Sequence, residues 1–235
     1  MYGAYYTPQT ISNIALVLTD QVEIIHKRPM SLRLVCVYLD ATYLTLRQDT
    51  VSKEALHVIV EINEEGLKEV LNYRLYPTES SENSKEMLLD LKGRGLSEVL
   101  LFVSEGLIGL RDACLEKYPN AKHQSCWAHI SRRIGHLVRA KDNSIVLGDL
   151  KEVYQSETKE TALSQIEIFK DKCRSHYPKA IRVLDDNPTL TSFYDFPQPI
   201  QRSLYTTNPI ECLNNQLKRQ TKKIEQFPMK PYSSA

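Results

Sequence analysis

Asp40, Glu105 and Glu211 lie far apart in the chain, yet each sits where an apolar run ends or a helix begins. Asp40 closes the run LRLVCVYLD, Glu105 closes EVLLFVSE, and Glu211 stands in YTTNPIECLNNQLKR. Acids at strand and helix ends are the usual means by which a fold converges oxygen ligands on hard divalent cations. The chemistry such a set supports is phosphodiester cleavage or transfer, with two metals clamping the attacking and leaving oxygens. The chain has 29 acidic residues, so solvated carboxylates at turns are the competing explanation.

Other residues carry weaker signals. Cys126 and His129 form a CxxH pair with His123 and His136 nearby, which taken alone suggests half a zinc site. No second pair at suitable spacing follows, so structural zinc is not expected. Trp127 could stack on a base extruded from a duplex, although a core tryptophan is the plainer reading. Asn208 suits a helix N-cap and Pro209 the first helical position, which puts Glu211 at the capping-box site without any need for a metal. Asn215, Lys218 and Lys222 would share one side of that helix, a line of polar and cationic groups suited to a phosphate backbone.

The elements that must position these residues read as α/β. Leu32 to Asp40 is a strand of the buried kind, and Ala55 to Ile62 with Val70 to Tyr76 form a hairpin turned at Asn63 to Gly66. Ser84 to Lys92 is a short amphipathic helix, Val99 to Val103 a further buried strand, and Leu107 to Lys117 a helix. From about Trp127 to Pro199 the pattern is almost wholly helical, clearest over Leu147 to Tyr154 and Thr161 to Tyr177. Tyr6 to Val22 also carries a helical period, and Pro29 breaks the chain before the first strand.

Composition sets bounds. The chain has 235 residues, 42% of them hydrophobic, which is enough for a real core. Its net charge of +1 is no mark of a nucleic-acid binder taken as a whole, and any DNA contact would have to come from local clusters. The five cysteines are scattered and odd in number, a pattern of free thiols in a reducing cytosol. No apolar span of ~20 residues and no export signal is present, so membrane insertion is disfavoured and a cytoplasmic location expected.

Three blocks together resemble the Mutator-like transposases of bacterial insertion sequences. They are KRPMSLRLVCVYLDATYLTLR (Lys27 to Arg47), LKGRGLSEVLLFVSEGLIGLRDACLEKYPNAKHQSCWAHISRRI (Leu91 to Ile134) and YTTNPIECLNNQLKRQTKK (Tyr205 to Lys223). The likeness implies a DDE-type enzyme with a ribonuclease H-like mixed sheet and an all-helical insertion before the last catalytic helix. It divides the chain into a remnant of an upstream DNA-binding region (1–28), the first part of the catalytic core (29–125), the insertion (126–200) and the last catalytic helix (201–235). Both ends are expected to be cut relative to the family.

Under this resemblance Asp40, Glu105 and Glu211 are the catalytic metal ligands, for Mg²⁺ or Mn²⁺. Arg132, Arg133, Lys218, Arg219, Lys222 and Lys223 would contact double-stranded DNA at element ends and target, and Cys126, His129 and Asn208 would support the site. The implied setting is a nucleoid-associated homo-oligomer that cleaves DNA and transfers strands. Glu105 departs from the family's Ser-Asp-Gly block, since Ser104-Glu105-Gly106 carries one more methylene. Impaired catalysis is therefore expected, and a non-catalytic remnant that binds DNA weakly, or pairs with an intact transposase, is the alternative.

Overall fold

The computed structural model describes residues 23–47, 51–62, 67–105 and 109–206, with 210, 211, 214, 215, 218 and 219. The helix expected over Tyr6 to Val22 lies outside the described residues. Strands β1 (Arg33–Arg47), β2 (Val51–Ile62) and β3 (Lys68–Tyr76) are followed by helix α1 (Ser81–Gly93) and strand β4 (Glu98–Ser104). Helix α2 (Leu110–Lys117) then leads to strand β5 (Lys122–Ser125). Beyond it come α3 (Trp127–Gly135), α4 (Ala140–Tyr154), α5 (Lys159–Cys173), α6 (Pro178–Asp185), a 3₁₀ turn (Ser192–Asp195) and α7 (Gln198–Leu204).

The five strands form one sheet in the order β3-β2-β1-β4-β5. β1, β2 and β3 are antiparallel neighbours, whereas β4 runs parallel to β1 and β5 parallel to β4. This is the order of a ribonuclease H-like sheet: a meander of three strands, then a crossover through α1 that brings β4 back beside β1. Side chains alternate between the two faces, each of which is covered. Cys36, Tyr38, Leu101 and Val103 pack against the helices that follow β5, with Trp127, Ile130 and Ile134 of α3 among their neighbours. Val37, Leu39 and Phe102 face the other way, onto Met87, Leu88 and Leu91 of α1 and Leu110 and Cys114 of α2.

β1 is longer than the sequence suggested. Instead of ending at Asp40 it continues to Arg47, paired along β2 from Ala41↔His57 to Arg47↔Val51. The residues ATYLTLR keep an alternation rich in β-favouring Thr, Tyr and Leu, and β2 supplies partners throughout. Asp40 therefore stands in mid-strand opposite Val58. Parallel pairing with β4 stops at Leu39↔Ser104, so Asp40, still in β1, and Glu105, just past β4, are the first residues beyond that shared end.

Helix boundaries have local causes. Ser80 caps α1, its Oγ accepting the Asn83 N–H at 3.2 Å, and Thr158 caps α5, its Oγ1 accepting the Thr161 N–H at 3.2 Å. Gly109, at φ 81°, takes the left-handed turn into α2 where a Cβ would lie 3.1 Å from Ser81 Oγ. Residues 23–27 are helical and docked by Arg94, which donates to Ile25 O at 2.8 Å, Arg28 O at 3.0 Å and Leu71 O at 2.9 Å. Between α6 and the 3₁₀ turn, the chain is tied to β5 and α3. Trp127 Nε1 and Gln124 Nε2 donate to Leu190 O at 2.8 and 2.9 Å, and Gln124 Oε1 accepts from the Phe193 N–H at 2.9 Å. No helix among the described residues is long and apolar enough to cross a membrane.

A candidate metal centre where β1 and β4 part

Three elements meet beyond the end of β4. β1 delivers Asp40, which is 6% exposed and on the same face as Tyr38. The turn after β4 delivers Glu105, in step with Leu101 and Val103, and so on that face too. Over them lies α3, whose Ile130 and Ile134 are buried one helical turn apart. His129 projects from its first turn between the acids.

Helical residues close the site from the C-terminal side. Glu211 and Asn214 are three apart, hence on one side of a helix. Asn214 donates its Nδ2 proton to Asp40 Oδ2 at 2.8 Å. Glu211 Oε1 lies 3.4 Å from His129 Nε2 and accepts from Arg132 Nη2 at 2.8 Å. His129 also lies 3.8 Å from Asp40 Oδ1 through Nε2 and 3.8 Å from Glu105 Oε2 through Nδ1. The histidine expected only to support the site is at its centre.

A carboxylate that the sequence reading did not single out joins them. Glu79, between β3 and α1, meets Glu105 within side-chain hydrogen-bonding range. It lines, with Glu105, His129, Arg132 and Arg133, a cleft of about 390 Å³. The signal was an acid in the turn YPTES, which nothing local distinguishes from a solvated one.

The electrostatics are those of acids crowded together in a dry place. Burial, and then the charge of Glu211, push Asp40 up to about 7. Burial, then Glu79, then Asp40 push Glu105 well above the usual carboxylate range. His129 is held below its ordinary value by burial and by Arg132, against the pull of Glu211, which favours the neutral imidazole. Two buried atoms of the site, Asp40 Oδ1 and His129 Nδ1, have no hydrogen-bond partner among the described residues. Asp40, Glu105 and His129 each offer one ligand atom, all within 4.8 Å of one another. Orphaned lone pairs on oxygen and nitrogen, converging among like charges, suit a divalent cation.

Ser104, beside Glu105, is held in a buried polar chain. Its Oγ lies 2.8 Å from His123 Nε2, and His123 Nδ1 lies 2.9 Å from Thr189 Oγ1, which is 3.1 Å from Ser125 Oγ. Burial lowers His123 to about 4, so it serves here as a neutral bridge.

The other expected residues divide. Cys126 is buried at the start of α3, its backbone N–H donating to Ser104 O at 2.8 Å. Trp127 is 1% exposed and bonded to Leu190, so it belongs to the core and is not available to stack on a base. Arg133 is exposed on α3 beside Glu105; Lys218 is half-buried and Arg219 exposed, both in helical backbone. Asn208, Lys222 and Lys223 lie outside the described residues.

The family model described as "Transposase, Mutator family" matches residues 1–232. The chain is 39% identical over 229 residues to the transposase for insertion sequence element IS1201 of Lactobacillus helveticus, covering 97% of this chain and 62% of that protein. It is 39% identical over 228 residues to the transposase for insertion sequence element IS905 of Lactococcus lactis, covering 97% of this chain and 58% of that protein. Among solved structures it is matched, at a TM-score of 0.35 and 12% identity, to a Drosophila P element transposase strand transfer complex, over 94% of this chain and 68% of that one. That score is low, and the strand order carries the fold assignment. The chain is α/β with a ribonuclease H-like sheet and belongs to the Mutator family of transposases. It spans about three fifths of the length of these curated relatives.

Proposed function

We propose that the chain is the catalytic part of an insertion-sequence transposase, acting in metal-dependent DNA cleavage and strand transfer. The observation that carries this reading is the convergence of Asp40, Glu105 and Glu211 on His129, with Asp40 Oδ1 buried and unpartnered among the described residues. Asp40, Glu105 and Glu211 would hold Mg²⁺ or Mn²⁺, which would supply Lewis-acid polarisation of the scissile phosphate and activation of the attacking oxygen.

The chain's own residues prepare that site. Asn214 fixes Asp40, leaving Oδ1 for the cation. Arg132 fixes Glu211, and neutral His129 stands between the acids and offers one nitrogen lone pair. Arg133, Lys218 and Arg219, with Lys222 and Lys223 further along the sequence, neutralise backbone phosphates of double-stranded DNA. The helices from 126 to 200 act as an insertion in the catalytic core, and residues 1–28 belong with an upstream DNA-binding region. Joining two element ends calls for more than one copy of the chain.

Glu105, longer than the family's aspartate, favours a second reading: an impaired or non-catalytic member that binds DNA or pairs with an active transposase. Strand cleavage on an end-bearing DNA separates the two. The proposed enzyme nicks in Mn²⁺ and loses all nicking in Asp40→Asn. Absence of nicking in a chain extended at both ends with a relative's sequence would leave the non-catalytic reading.

A further inference from the structure

We propose that Glu79 is a further ligand of the cation held between Asp40 and Glu105, so that this metal site has four carboxylates and not three. The inference rests on the metal-dependent reading above and adds a residue from an element, the β3–α1 turn, to which that reading gives no part.

The turn is built to hold Glu79 in place. Its N–H donates to Tyr43 Oη at 3.4 Å, and Tyr43 is on β1, three residues past Asp40. On one side Thr78 O accepts from Asn83 Nδ2 at 2.7 Å; on the other, Ser80 caps α1. A backbone pinned at three successive residues fixes where the side chain starts. Glu79 lines one cleft with Glu105 and His129, and its charge acts on Glu105, Asp40 and His129.

Charge points the same way. Arg132 makes its ion pair with Glu211, while Asp40, Glu105 and His129 converge within 4.8 Å of one another and Glu79 lines the cleft beside Glu105 and His129. Carboxylates in such contact repel unless a proton or a cation lies between them. Asp40 Oδ1, in a residue more than nine-tenths buried and without a partner among the described residues, lies 3.8 Å from His129 Nε2. Hard cations take several carboxylate oxygens, and affinity rises with their number. The extra methylene of Glu105 then has a consequence besides misplacement, since it carries that carboxyl to Glu79.

The test is Mn²⁺ titration of the full chain by electron paramagnetic resonance, with thermal melting in the absence of metal. Glu79→Gln is expected to weaken Mn²⁺ binding by about tenfold or more, while its metal-free melting temperature is unchanged or raised by relief of the Glu79–Glu105 repulsion. Glu79→Asp, which keeps the charge, is expected to fall between. If Asp40→Asn loses Mn²⁺ while Glu79→Gln binds as wild type does, Glu79 is no ligand and the catalytic reading stands. If the wild type binds no Mn²⁺, both fall. Weaker binding accompanied by a lowered metal-free melting temperature in Glu79→Gln and Glu79→Ala alike would make Glu79 structural and overturn the proposal.

Discussion

Asn214 donates a 2.8 Å hydrogen bond to Asp40 Oδ2 from 174 residues away in sequence. It occupies one oxygen of a buried carboxylate, while the other has no partner among the described residues, so it orients the acid as well as stabilising it. Asn214→Ala is expected to destabilise the fold by about 1–3 kcal/mol and to weaken Mn²⁺ binding by roughly ten- to a hundredfold. Unchanged Mn²⁺ affinity in that variant would show that Asp40 needs no such brace.

Stability of the metal-free chain should depend on pH with an inverted sign. Asp40 is raised from 3.8 to about 7, and Glu105 is shifted in the same direction. Between those values for Asp40 the folded chain keeps a proton that the unfolded chain has released, so stability is greatest below the lower one and is lost as pH rises through the upper. Melting in chelator should show a downward slope from pH 5 to about pH 8, flattened in Asp40→Asn and reversed by saturating Mn²⁺, which competes with the proton. Equal slopes in wild type and Asp40→Asn would contradict this.

Glu105→Asp tests whether the longer acid limits catalysis. Mg²⁺ holds strictly to octahedral geometry, so shortening the side chain should raise Mg²⁺-supported nicking by about ten- to a hundredfold. The gain with Mn²⁺ should be smaller, and Asp40→Asn should abolish both. Nicking unaffected by Glu105→Asp would mean that position 105 does not place a metal.

Much of this arrangement was legible in the sequence. The apolar runs before Asp40 and Glu105 mark adjacent buried strands, and the order of strands and helices fits the sheet that is found. Other parts were hidden for physical reasons. KHQS is too short and polar to read as a strand, yet it is β5, because its partner β4 and the chain around Leu190 satisfy it. Asp40 looked like a strand end, since burial ceases to be continuous there while pairing does not. Glu79 and Asn214 carry no local signal at all. Their importance comes from which residues the fold sets opposite them.

Trp127 is the chain's one tryptophan, which makes its burial directly readable. Its fluorescence should be blue-shifted, resistant to iodide and unaltered by added DNA. Trp127→Phe removes the donor to Leu190 O and should cost about 1–3 kcal/mol. Quenching by single-stranded DNA would contradict its assignment to the core.

The central claim is that Asp40, Glu105 and Glu211 surround a divalent cation, and iron-directed cleavage of the polypeptide measures it. Fe²⁺ exchanged into the site and treated with ascorbate and peroxide cuts the backbone beside the bound ion. The account predicts fragments ending close to residues 40, 79, 105, 129 and 211, suppressed by excess Mg²⁺ and absent from Asp40→Asn. Cuts elsewhere, or the same cuts in Asp40→Asn, would contradict it.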